Sequence, residues 1–106
     1  MSNFVGSGTI TTNTTTSSIA CRGWATLSVH LDSGSGTWTW QFKGPDDVWR
    51  NIIGGSDFIT SQAYTATNMI NVFFGTDVRV RGNATSGSSP QWDWQIMSTP
   101  FNRPGT

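Results

Sequence analysis

The stretch Trp24-Ala25-Thr26-Leu27-Ser28-Val29-His30-Leu31, then Asp32-Ser33-Gly34-Ser35-Gly36, then Thr37-Trp38-Thr39-Trp40-Gln41-Phe42-Lys43, decides the fold class. Both outer runs alternate. In the first, Ala25, Leu27, Val29 and Leu31 share one side, and Trp24, Thr26, Ser28 and His30 share the other. In the second, Trp38, Trp40 and Phe42 oppose Thr39, Gln41 and Lys43. Successive side chains of a strand point to opposite faces, so a period of two marks a half-buried antiparallel strand. The Ser/Gly run between them predicts a turn, and the pair a hairpin.

Working outward, Gly44-Pro45-Asp46-Asp47 is a second turn signal, followed by a strand over 48–53 that Gly54-Gly55 closes. A short strand is expected over 58–60 and a loop with an edge segment over 61–67. Residues 68–74 alternate again, with Ile70, Val72 and Phe74 opposite Met69, Asn71 and Phe73. Gly75-Thr76 is expected to turn the chain into 77–82, where Val78 and Val80 face in and Arg79 and Arg81 out. A Ser/Gly loop over 83–90 leads to a last strand over 91–98. There Trp92-Asp93-Trp94-Gln95-Ile96 echoes Trp38-Thr39-Trp40-Gln41-Phe42, so two strands send the same Trp-x-Trp face into one core.

Composition agrees. Of 106 residues, 42 are Val, Ile, Thr, Trp, Tyr or Phe, whereas there are two Leu, five Ala, one Lys and no Glu. Such propensities favour strands over helices. The expected architecture is therefore all-β: a single antiparallel β-sandwich or jelly roll of about eight short strands. It spans 19–98, with an extended N-terminal arm over 1–18 and an extended C-terminal tail over 99–106. An edge strand is expected near 8–12 inside the arm, and removal of residues 1–12 is expected to leave the domain folded.

Charge narrows the function. Six Lys+Arg balance six Asp, for a net charge of zero. A nucleic-acid binder held by phosphate contacts, or a polybasic membrane-surface protein, needs an excess of cations. Neither partner is expected. No apolar run approaches the ~20 residues of a membrane helix. Met1-Ser2-Asn3-Phe4-Val5-Gly6 has no signal-peptide pattern, so synthesis in a cytoplasm is expected. A neutral coat of Ser, Thr, Asn and Gln offers little repulsion between copies, which suits a protein that sits in an assembly.

Catalytic chemistry is hard to build from these residues. Cys21 is the single cysteine and His30 the single histidine, so neither a disulfide nor a Cys/His zinc site is expected. His30 with Asp32 could form part of a Ser-His-Asp arrangement, but a Ser-rich domain offers such combinations by chance. Asp46-Asp47 reads as turn chemistry rather than a glycosidase carboxylate pair. Asp32, Asp46, Asp47, Asp57 and Asp77 lie at expected loops, where calcium could take oxygen ligands, but no EF-hand spacing is present. No metal, cofactor or enzymatic activity is expected.

The aromatic residues are the most informative. Trp38, Trp40, Trp92 and Trp94 share faces with Phe42 or Ile96 and read as core. Trp24 shares its face with Thr26, Ser28 and His30, and is the best candidate for an exposed or interface aromatic. Phe4, Val5, Ile10 and Phe101 are isolated apolar points in the arm and tail, and with Trp24 they are the candidate partner or oligomer contacts. Were the protein to bind glycan, Trp24, Trp49 and Tyr64 would be the stacking candidates.

The stretch Gly36-Thr37-Trp38-Thr39-Trp40-Gln41-Phe42-Lys43-Gly44-Pro45-Asp46-Asp47-Val48-Trp49-Arg50-Asn51-Ile52, with Val78-Arg79-Val80-Arg81 and the closing run 91–98, resembles small β-sandwich virion structural proteins of tailed bacteriophages. In those, a Gly-bounded strand leads to a turn and a Trp-x-x-Ile/Leu strand, followed later by a Val-Arg-Val/Leu-Arg strand. The likeness covers about 19–99 of the chain, and departs from the pattern at Asp47, where Gly is preferred, and at Pro45. The resemblance implies a capsid cement (decoration) protein bound to the outside of a phage head, where it stabilises the lattice of the major capsid protein. It further implies a virion location and a homo-oligomer, a trimer in preference to a dimer. The alternatives are a tail-fibre, baseplate or adaptor module that binds host glycan, and a free-standing carbohydrate-binding domain.

Overall fold

A computed structural model describes residues 4–52, 63–64 and 68–99. The described chain is all-β. Five strands, β1 (Phe4–Ile10), β2 (Ile19–Lys43), β3 (Trp49–Asn51), β4 (Ala63–Tyr64) and β5 (Asn68–Thr99), form one antiparallel sheet in the order β1-β5-β2-β3, with β4 also on β2.

Two of these strands are far longer than any the alternation suggests. β2 has 25 residues and β5 has 32. At about 3.3 Å per residue a straight β2 would span roughly 80 Å, but the longest dimension of the molecule is 49 Å. Both strands must therefore bend, and the pairing shows where. Residues 24–29 of β2 lie between two stretches of β5, with 68–73 on one side and 94–99 on the other, and 30–33 continue along 91–93. Beyond the bend, residues 37–43 of β2 pair with 79–85 of β5. The short segment 19–21 pairs with 78–80.

This corrects the expected hairpin. Residues 24–31 and 37–43 do not pair with each other; each pairs with its own part of β5. Gly34 adopts φ +78, and a Cβ there would lie 2.1 Å from the Ser89 carbonyl oxygen. Ser86 and Ser89 on the facing stretch also have positive φ. The Ser/Gly runs 32–36 and 83–90 are thus the two sides of one bend, where backbones approach too closely for larger residues. Gly75-Thr76 likewise does not reverse the chain. Cys21 pairs with Val78 and Gly23 with Phe74, so residues 75–77 form a bulge opposite Arg22 while β5 continues.

The turn at 44–47 is present. The Asp47 N–H donates to the Gly44 carbonyl at 3.0 Å, Asp47 has φ 63, and Lys43 pairs with Trp49. The strand expected over 48–53 narrows to Trp49–Asn51, after which the Ile52 N–H donates to the Trp40 carbonyl. The strand expected over 58–60 lies outside the described residues.

Within 1–18, the edge strand is Phe4–Ile10 rather than 8–12. It runs in unbroken register along β5, from Phe4 opposite Ser98 to Ile10 opposite Trp92. The Thr/Asn/Ser run that follows is tied down by its polar groups. Thr15 bridges Asn83, the Thr16 N–H donates to the Gly82 carbonyl, and the Ala84 N–H donates to the Thr14 carbonyl. The Asn13 side chain accepts from the Gly87 N–H and donates to its carbonyl.

One core serves the whole sheet. Leu27, Val29, Trp38, Trp40, Val80, Trp92 and Ile96 are at most 2% exposed. Trp38 touches Trp40 and Trp92, with ring centroids 5.2 and 5.3 Å away, and Phe42 touches Phe74 at 5.9 Å. Every Trp expected in the core is there, and Ala25, Leu27 and Val29 join it as the alternation requires.

Candidate functional site

Because Ala25, Leu27 and Val29 are buried, the pleat turns Trp24, Thr26, Ser28 and His30 outward. Register then fixes their neighbours. Trp24 stands opposite Phe73, Thr26 opposite Asn71 and Met97, Ser28 opposite Met69 and Gln95, and His30 opposite Asp93. The outer face consequently has two ends. One is polar, where Thr9 donates to Asp93 at 2.8 Å. The other is apolar: Trp24 is 60% exposed, Phe73 52% and Met97, diagonal to Trp24 by register, 40%, whereas Met69, also exposed, stands apart in the Ser28–Gln95 row. Trp24 and Phe73 meet edge to face at 5.3 Å, and Thr26 donates to Asn71 beside them.

Single exposed apolar residues are ordinary, but a contiguous group on one sheet face marks a contact surface. Covering a large apolar side chain completely contributes about 1.5–3 kcal/mol, less what association itself costs. Alternation located Trp24. Nothing in the sequence placed Phe73 and Met97 beside Trp24, because that needs the pairing of β2 with both ends of β5.

The other candidate residues are scattered. Phe4 and Val5 lie by register opposite Ser98 and Met97. Ile10 packs against the chain's own core. Phe101 lies outside the described residues. Trp49 sits on the β2–β3 hairpin, half-buried, with the Arg81 guanidinium 4.0 Å over its ring and the Lys43 ammonium at 5.2 Å. Arg81 in turn donates to Gln41, which donates to Asn51. That network braces the hairpin through cation–π and hydrogen-bond contacts, and it occupies one face of the ring. Tyr64 pairs by its backbone with Trp38. Trp24 and Trp49 are therefore not gathered into one site.

The titratable groups are held by local partners. His30 Nε2 lies 3.7 Å from Asp32, both about half exposed. Asp46 pairs with Arg50, whose hydrogen bond holds the Asp46 carboxyl below its ordinary range. Asp47 pairs with Lys43 and Asp77 with Arg22; Asp57 lies outside the described residues. Among the described residues no three His, Cys, Asp or Glu side chains converge. Burial pushes the Cys21 thiol up to about 11, against a smaller opposing effect of its hydrogen bond with Ser98. At neutral pH it is a protonated core group and not a nucleophile.

Comparison of the chain with protein-family models, curated proteins and solved structures finds no match.

Proposed function

We propose that this chain is a non-enzymatic structural protein that docks on a larger protein shell through the Trp24 face. Drawing on the resemblance at 36–52 and 78–81, we assign it to the outside of a bacteriophage head as a cement protein. There it would bind the major capsid protein as a homo-oligomer and stabilise the lattice. The fold we infer is a β-sandwich: the part of the sheet around 24–31 and the part around 37–43 contribute to one core from its two sides, as the Trp38–Trp92 contact between them suggests.

The observation that carries this reading is the exposed cluster of Trp24, Phe73 and Met97 on a protein of zero net charge. Many copies, each covering a modest apolar patch, would make a lattice hard to open because the contacts act together. Neutral polar surroundings add little long-range repulsion to such close packing.

The deciding measurement is the copy number of this chain in purified particles, relative to the major capsid protein. Hundreds of copies support a cement protein. A handful would move the protein to the tail or portal, where an exposed Trp24 could stack on a host glycan; absence from particles would overturn the virion assignment. In reconstitution, Trp24→Ser combined with Phe73→Ser is expected to abolish attachment while the isolated chain keeps its strand circular-dichroism signal. Undiminished attachment would remove the Trp24 face from the proposal.

A further inference from the structure

We infer that β1 is a self-association edge, pairing antiparallel with β1 of a second copy so that two sheets join into one. The inference goes beyond the docking role of the Trp24 face and fails or holds independently of it.

A sheet edge presents unpaired N–H and C=O groups, and proteins that stay monomeric guard it with charges, proline, bulges or very short strands. The β3 edge is guarded in this way. It is three residues long, it carries Arg50 paired to Asp46, and the adjoining turn holds the Lys43–Asp47 ion pair. β1 has none of these devices. Its seven residues, Phe4-Val5-Gly6-Ser7-Gly8-Thr9-Ile10, include no charge and no proline, and its register along β5 has no bulge. Among the described residues, no strand pairs with its outer side.

The occupant that fits best is a second β1. An uncharged strand meets its own copy without like-charge contacts, and zero net charge removes the long-range barrier to association. Antiparallel self-pairing closes on itself about a two-fold axis, so it ends at a dimer instead of a fibre. Full overlap sets Ser7 opposite Ser7, Gly6 opposite Gly8, Val5 opposite Thr9 and Phe4 opposite Ile10. Directly opposed residues of antiparallel strands share a face, so this register keeps core side with core side. It also turns the Trp24 clusters of both copies toward the same side, doubling the apolar surface that one partner can cover.

The test is analytical ultracentrifugation of the full chain over a dilution series, with Ser7→Lys beside it. Ser7 is exposed, so a lysine there is tolerated in one copy but meets its twin across the axis. The expected result is twice the chain mass of 11.5 kDa for the natural sequence and the single mass for Ser7→Lys, with melting temperature unchanged in a dilute, monomeric sample. Amide hydrogen exchange supplies a second readout, in which protection in 4–10 rises with concentration in the natural chain only. A natural chain that stays at the single mass, or one that forms trimers, overturns the inference. So does a dimer that survives Ser7→Lys, or one lost on Trp24→Ser but kept in Ser7→Lys.

Discussion

Gly82 shows how tightly single positions are specified. A Cβ built there would lie 2.0 Å from the Trp38 ring, whereas one at Gly44 would meet nothing within 4 Å. Gly82→Ala forces a fully buried indole off its seat, and overpacking of this kind costs about 1–3 kcal/mol. Gly44→Ala, on a surface turn, is expected to stay within about 0.5 kcal/mol of the natural chain. Urea denaturation of the two variants measures the contrast directly. The same Trp layer carries an unusual feature: the indole N–H groups of Trp38, Trp92 and Trp94 are buried with no acceptor among the described residues. Their apolar area outweighs that cost, because each ring fills a volume that smaller side chains would leave empty.

Cys21 provides a pH test at the same scale. Its thiol titrates near 11 in the folded protein against 9.0 for the unperturbed group. Between those values the unfolded chain releases this proton and the folded chain retains it. The unfolded state is then favoured, and stability falls as pH rises through that window. Cys21→Ala is expected to lack this component of the decline, checked by denaturation midpoints at pH 8 and 11 for both proteins. An equal decline in both would contradict the burial of the thiol.

At the scale of elements, the bends in β2 and β5 matter more than the strands' ends. Alternation marks where side chains face, but Gly/Ser runs signal a turn and a bend in the same way. Residues 32–36 read as a hairpin turn because nothing local says that 37–43 pair with 79–85 rather than with 24–31. Gly34 is the most exacting position there, with its positive φ and the Ser89 carbonyl against its α-carbon. Gly34→Ala combines left-handed backbone strain of about 1–2 kcal/mol with a clash against backbone that cannot rotate away. A loss of at least about 2 kcal/mol is expected by thermal melting; a neutral result would mean that the two strands do not cross so closely.

β1 is the second element whose role changes on folding. Gly8 lies against the Trp94 indole, where a Cβ would come within 3.2 Å, and Ile10 adds to the core. Deleting residues 1–10 uncovers Trp94 and removes a paired strand. Such a truncation is expected to lower the melting temperature and to raise Trp fluorescence exposure to acrylamide, unlike the removable arm expected from composition alone. An unchanged melt would show that β1 contributes nothing to the fold.

For the whole molecule, zero net charge and the proposed docking through the Trp24 face lead to one expectation. Attachment that rests on apolar burial is little affected by salt, whereas attachment through ion pairs weakens once charges are screened beyond about 3 Å at 1 M salt. If the proposed virion role holds, particles washed in 1 M sodium chloride retain the chain, as gel densitometry would show. Release under those conditions would point instead to the exposed arginines. The topology also pairs residues far apart in the chain, such as Phe4 with Ser98, so folding depends on long-range pairing and is expected in the slow range typical of all-β domains.

The alternation of residues 24–31, 37–43, 68–74 and 91–98 by itself determined that the protein is all-β and, for 24–31, 37–43 and 91–98, which side is buried. It also singled out Trp24 as the aromatic left outside, because its face-mates are polar. These are local properties, carried by the period of two along a strand. Strand pairing is not local. Which Gly/Ser run turns and which merely bends, that β1 belongs to the sheet, and that Phe73 and Met97 lie beside Trp24 were all decided by tertiary structure. Each depends on backbone hydrogen bonds between residues far apart in the chain, and no short-range pattern encodes that choice of partner.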